Sequence, residues 1–357
     1  EADWLVGLNV TRALTCKHGA QLSAGRVQTP TLALIVDREE EIRRFVPQEY
    51  FTVQAKCRGF TATWRDRNGQ TRTFDRERAE HLCAALQGKH GVLSEVKRTL
   101  RQAPPPAAYD LTELQRDANR KYAYSAKETL SLMQSLYERH KLLTYPRTDS
   151  RYISDDVVST LPERLKSVMV DEYRDLARAI LMKRPLQTRF LVDNARVTDH
   201  HAILPTEEQP ELFRLSGPER NIYDLVVRRF LAVLLPPCEY EETRLTLTVG
   251  GETFTARGKI MKEPGWRAAY GLFLLEEDEE EEGEEREQSL PPLRQGDSVE
   301  VLSAKVSTGK TAPPKRYTEA TLLTAMEHPP TQGMDRAQGK ILEETGGLGT
   351  PATRAAI

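Results

Sequence analysis

The sequence predicts an α+β multidomain protein, and three observations predict it. Helical periodicity recurs at both ends and through the middle of the chain. Two stretches, 49–99 and 241–306, alternate like half-buried strands. Prolines at 104–106, 236–237 and 313–314 stand where the character changes. A length of 357 residues allows two or three domains, and 39% apolar residues suffice for real cores.

Charge and cysteine usage narrow the class. The net charge of −2 looks wrong for a polyanion binder until it is mapped. Residues 276–287 hold ten acidic side chains and one arginine, and outside them 50 basic residues face 43 acidic, a net of +7. Like charges at that density repel and resist burial, so the block reads as a solvated loop. Cys16, Cys57, Cys83 and Cys238 are scattered without a C-x-x-C pair. Neither a zinc site nor a disulfide framework is indicated, which fits a reducing compartment. No apolar run approaches membrane-spanning length and no secretory leader opens the chain, so neither a membrane partner nor secretion is expected.

Taken in order, 2–16 has helical apolar spacing, already under way at residue 1, which reads as a chain that begins inside a larger protein. Thr29 with Pro30 predicts the start of a second helix through Ile42. Glycine and arginine just before a helix N-terminus suit phosphate contact; a plain loop-to-helix junction is the alternative. Strands are expected at 50–55 and 60–64 around a turn at 67–70, then a helix at 75–86 and a strand at 91–100. Beyond the prolines, 111–122 and 126–139 are strongly helical, the second opened by Ser125 with Glu128 in a capping-box pattern. Ser154 is expected to cap a further helix. A helix at 217–235, a hairpin turning at Gly250-Gly251, a strand at 298–306 and a helix at 318–327 complete the reading.

The chemistry centres on residues 142–154, L-L-T-Y-P-R-T-D-S-R-Y-I-S. Pro146 pushes Tyr145 towards an extended conformation, so Tyr145 and Arg147 project to the same side. A guanidinium beside a phenol favours the phenolate and can grip a phosphate oxygen. Tyr145 is therefore a candidate phosphoryl-attacking nucleophile, against the alternative of one more packing tyrosine among twelve. At 197–206, V-T-D-H-H-A-I-L-P-T, adjacent histidines point apart and lack a third spaced ligand. They suit phosphate contact or proton transfer rather than a metal, unless they only pack.

T-Y-P-R-T-D-S-R-Y closely resembles the active-site segment of type IA DNA topoisomerases, in the form used by the topoisomerase III branch. S-A-G-R-V-Q-T-P after D-W-L-V-G-L-N-V-T-R, the D-H-H run, and G-L-G-T-P-A-T-R-A-x-I resemble three further motifs in the family's order. The resemblance implies that Tyr145 attacks a DNA phosphodiester and keeps the 5′ phosphate, with Arg147 and His200 as its partners. It implies DNA contact by Arg26, Gln28, Thr148, Asp149, Ser150, His201, Thr350, Thr353 and Arg354. It also implies a toroidal ring: a strand-binding helical domain split between 1–47 and 312–357, β-rich arches at 48–103 and 237–311, and a helical domain at 104–236 carrying the tyrosine.

The family's Mg²⁺-binding N-terminal domain, with its D-x-D-x-E cluster, has no counterpart here. No metal site is therefore expected in this chain. Partners implied are single-stranded DNA and the enzyme's own N-terminal domain, in a monomer of the bacterial cytoplasm, at the nucleoid. The chain alone should bind single-stranded DNA without relaxing supercoils. A non-catalytic single-strand-binding module, with Tyr145 only stacking on a base, is the alternative. A relaxase is disfavoured because its two histidines would be separated by one apolar residue.

Overall fold

A computed structural model describes residues 2–183, 185–197, 199–271, 288–330, 340 and 346–357. The acidic block at 276–287 lies outside the described residues. The chain divides into two compact units, one of residues 1–44, 106–234 and 314–357, the other of 45–105 and 235–313.

The second unit is a six-stranded antiparallel barrel built from both β-rich stretches. Its strands are β1 (Glu49–Cys57), β2 (Phe60–Arg65), β3 (His90–Ala103), β4 (Cys238–Val249), β5 (Glu252–Glu263) and β6 (Ser298–Lys310). They close in the order β1-β2-β5-β4-β3-β6, which leaves no open edge. Alternation sets the inside: Val53, Ala55, Trp64, Leu93, Leu247 and Phe254 are each at most 1% exposed. Burying each large side chain contributes roughly 1.5–3 kcal/mol. The helix between β2 and β3, Arg76–Leu86, adds Ala79, Leu82 and Leu86 to the same core. Its cap is Asp75, which accepts from the Arg78 amide. Gly250 and Gly251 have φ of +59° and +83°, the left-handed pair that a two-residue hairpin turn requires.

The first unit is helical. Numbering all helices in chain order makes Arg76–Leu86 α3; this unit holds α1 (Ala2–His18), α2 (Gln28–Arg44), α4 (Leu111–Tyr122), α5 (Ala126–Glu138), α6 (Leu161–Ser167), α7 (Arg174–Met182) and α8 (Gly217–Val233). Leu111, Leu114, Met133, Leu136, Ile222 and Val226 are fully buried and mark the helical spacing of α4, α5 and α8. Ser216 and Glu219 form a full capping box on α8, whereas only half of the box forms at Ser125, which accepts from the Glu128 amide. No described helix is long and apolar enough to cross a membrane.

Two local expectations are corrected. Thr29 does not cap α2: the helix starts earlier, at Gln28, and the Thr29 hydroxyl accepts from the Gly25 amide at 3.0 Å. Ser154 precedes a 3₁₀ turn at Asp155–Thr160 but caps no backbone amide, because its hydroxyl donates to the Asp156 carboxylate instead.

Candidate active site

The tyrosine loop is held by two other strands of extended chain. Residues 142–144 run antiparallel to 204–206: Thr144 N donates to Leu204 O at 2.9 Å, Thr206 N to Leu142 O at 3.0 Å, and Leu143 faces Pro205. Ile203 N donates to Tyr109 O at 2.8 Å, which joins the segment leading into α4. The two histidine- and tyrosine-bearing motifs, far apart in sequence, therefore meet through backbone pairing. The Thr144 hydroxyl locks the junction, accepting from Leu204 N at 2.9 Å and donating to Ala202 O at 3.1 Å.

That pairing sets His200 on Tyr145. The ring centroids are 4.4 Å apart with planes tilted by 42°. Tyr137 of α5 meets the Tyr145 ring edge-on at 5.7 Å. Tyr145 is half-buried and Arg147 exposed, so the phenol is supported by aromatic rings while the cation beside it faces solvent. His201 diverges from its neighbour as period-two geometry requires: it is half-buried, and its Nδ1 is buried without a hydrogen-bond partner among the described residues.

The other loop residues divide by role. Thr148 and Ser150 are only 2% and 3% exposed and bind the loop to itself and to its neighbours. Thr148 Oγ1 donates to His200 O at 3.4 Å, and Ser150 Oγ to Arg196 O at 3.0 Å. These hydroxyls position the site and are not presented to solvent, whereas Asp149 is exposed. Asp110 anchors the loop from below: it caps α4 through the Glu113 amide at 2.7 Å and accepts from Arg151 Nε at 2.6 Å. The adjacent Leu111 amide donates to Thr148 O at 3.1 Å. Asp110 and Arg151 were missed at the sequence level; the signal available was an aspartate immediately before a helical run, which reads only as a cap.

The remaining candidates lie on the helices at the chain's two ends. Arg26 and Gln28 are exposed. Arg26 lines a cleft of about 410 Å³ with Val6, Val10, Ala24 and Pro30, between α1 and α2. Gly349 packs on Val27, where an added Cβ would come within 3.0 Å of Val27 Cγ1, so the first and last motifs touch. Thr350 caps the short helix Pro351–Ala356 by accepting from the Thr353 amide, and both threonines are exposed. Arg354 is not at the surface: it is 6% exposed and donates from Nε to Leu348 O at 2.9 Å, with a second bond to Gly346 O. Burial lowers its pKa, with Glu327 opposing. Its visible work is to hold the glycine-rich turn. Among the described residues no three His, Cys, Asp or Glu side chains converge to hold a metal ion, so those residues do not fit Mg²⁺.

Comparison with known proteins identifies the family. The DNA topoisomerase family model matches residues 1–357. The whole chain is 52% identical to DNA topoisomerase 3 of Bacillus licheniformis, covering 49% of that protein. It is 51% identical to DNA topoisomerase 3 of Bacillus subtilis, again covering 49% of it. Full-length topoisomerase I from Thermotoga maritima superposes with a TM-score of 0.70 at 27% identity, over 99% of this chain and 53% of that one. The chain thus spans about half the length of the relatives it matches. Matched along its whole length by the family model and by relatives at about half identity, on a fold shared with a solved relative, the chain belongs to the type IA DNA topoisomerases, in their topoisomerase 3-like branch.

Proposed function

We propose that this chain supplies the nucleophile and strand-binding surfaces of an enzyme that changes DNA topology by passing strands through a transient single-strand break. The observation that carries it is His200 against Tyr145, 4.4 Å between rings, with Arg147 exposed two residues along the chain. In the forward step Tyr145 Oη forms a bond to a backbone phosphorus and the bond from phosphorus to the 3′ oxygen breaks. One phosphodiester replaces another, so the bond energy is kept in a 5′-phosphotyrosine and no ATP is needed. The phenol gives up its proton and the departing 3′ oxygen gains one, and His200, its ring 4.4 Å from that of Tyr145, assists this proton movement. Arg147 offsets charge on the phosphate oxygens. Attack of the 3′ hydroxyl reverses every bond change.

Arg26, Gln28, Thr350 and Thr353 line the path of the single strand, while Thr148, Ser150 and Arg354 act by shaping the backbone that meets it. A Mg²⁺ ion, which would have to be held by groups other than the described residues, would offset phosphate charge. The working protein is a monomer of the bacterial cytoplasm, associated with the nucleoid.

The test mixes the full-length protein with Mg²⁺ and a labelled single-stranded oligonucleotide, then reads a denaturing gel for an adduct. An adduct through the 5′ phosphate created at the break is expected, absent in Tyr145→Phe while oligonucleotide binding changes less than about twofold. Unimpaired binding with no adduct from the wild type would instead favour a binding module in which Tyr145 stacks on a base.

A further inference from the structure

Six charged side chains of alternating sign run from the tyrosine loop to the C-terminal glycine-rich turn. Arg151 donates to Asp110 Oδ2 at 2.6 Å and faces Glu113 Oε2 at 3.4 Å. Glu113 accepts from Arg116 Nη1 at 2.9 Å, and Arg116 uses its other terminal nitrogen on Glu327. Glu327 also faces Arg354 Nη1 at 3.6 Å, and Arg354 holds the carbonyls of Leu348 and Gly346.

Three cations and three anions make the set neutral, and most of it is withdrawn from water. The side chains of Arg116 and Arg354 are 7% and 3% exposed, those of Glu113 and Glu327 each 20%. Burial pushes the Asp110 carboxyl up, with Arg151 opposing it. At Glu113 burial also pushes up, but Arg116 and Arg151 outweigh it and hold the carboxyl below its usual range.

Such a network is a poor source of stability, because apolar residues of similar size often do as well or better. What it contributes is geometry, since its bonds form together in one arrangement of the neighbours, with Arg116 Nε alone of the Arg116 nitrogens left without a partner among the described residues. The stretches it joins also share a small apolar cluster of Ala126, Leu323 and Ala355, with Leu130 against them. Two single bonds assist, Ala126 N to Glu319 Oε2 at 2.6 Å and Ala320 N to Asn119 Oδ1 at 3.1 Å. The helix carrying Glu327, Glu319–Glu327, buries Ala320, Leu323 and Met326 and adds these directed polar contacts to α4 and α5.

We propose that these six residues form a positioning clasp for strand cleavage. Glu327 and Arg116 act through Glu113 and Arg151 to keep the Tyr145 loop in register with the glycine-rich turn that leads to the Thr350-capped helix. None of the six needs to touch the scissile phosphate. This rests on Tyr145 being the nucleophile.

The full-length protein carrying Arg151→Gln, Glu327→Gln, or both would be assayed for the rate of adduct formation and for oligonucleotide affinity in the same preparations. Each single change is expected to slow adduct formation about tenfold with affinity kept within about twofold, and the double variant to be no slower than the slower single. Losses that multiply in the double variant, or affinity falling in step with rate, would overturn the clasp. Should Glu327→Gln fail to fold, the shorter carboxylate of Glu327→Asp combined with Arg151→Gln carries the same logic: the pair must again be no slower than the slower single change. Absence of adduct from the wild type would sink the Tyr145 reading itself, and so is distinguishable from failure of the clasp.

Discussion

Glu219 shows how one side chain can matter to a site it does not enter. Its carboxylate accepts from the Ser135 hydroxyl at 2.6 Å, the Ser216 hydroxyl at 2.7 Å and the Ser216 amide at 2.9 Å, and it faces His140 Nε2 at 3.4 Å. It therefore ties α5 to the start of α8, just upstream of the loop that begins at Lys141. Burial alone would raise its pKa, but the bonds from Ser135 and Ser216 outweigh burial and put it at about 2. A carboxyl depressed on folding stabilises the native state above its unfolded pKa, and that stabilisation is lost as pH falls through the folded value. The contribution should thus be complete above about pH 4.5 and vanish towards about pH 2. Denaturant unfolding across this range should show a steeper acid loss of stability in the wild type than in Glu219→Gln. Identical slopes would mean that the carboxylate is not favoured by the fold. Sequence alone suggested none of this, because the contact with Ser135 depends on how α5 and α8 pack.

At the scale of elements, what was legible followed local rules, and what was not followed tertiary contacts. The bounds of α4 were readable because a cap, an apolar stripe and a following turn agree. The hairpin at Gly250-Gly251 was readable because a two-residue loop demands positive φ. The pairing that brings His200 to Tyr145 could be inferred only from resemblance, since no local pattern says which extended segments meet. Thr29 was misread because Thr-Pro is a good start signal, yet its hydroxyl is taken by Gly25 and the helix runs through it. The glycine-rich turn was recognised as a motif, but its physical demand comes from the fold. Gly347 has φ +83°, and a Cβ there would lie 2.3 Å from the carbonyl oxygens of Met326 and Glu327. Both strain and clash follow from adding a methyl group. Gly347→Ala should lower stability by roughly 1–3 kcal/mol and detach the turn from the end of the Glu319–Glu327 helix. An unchanged melting temperature would show that the turn bears no such constraint.

At the scale of the whole molecule, the chain crosses between its two units at 44/45, 105/106, 234/235 and 313/314. Proline pairs stand at or within two residues of three of these crossings, which is why they punctuate the sequence where the packing changes hands. Each unit has its own interior. The barrel is filled by residues such as Phe51, Trp64 and Phe254, and the helical unit by residues of α4, α5 and α8. Separate interiors predict separable losses. Phe254 is fully buried among barrel residues, so Phe254→Ala removes a large side chain from that core alone. The expected cost is about 3–5 kcal/mol, felt by the barrel and not by the helices. The tryptophans make this measurable: Trp64 is 1% exposed inside the barrel, whereas Trp4 on α1 is 69% exposed. Fluorescence of buried tryptophan should therefore report the barrel, while far-ultraviolet circular dichroism weights the helical unit. In Phe254→Ala the fluorescence transition should fall by about 10 °C with the dichroism transition nearly in place. If both fell together, the two interiors would unfold as one cooperative body, and the four crossings would be joints too stiff to let either unit melt alone.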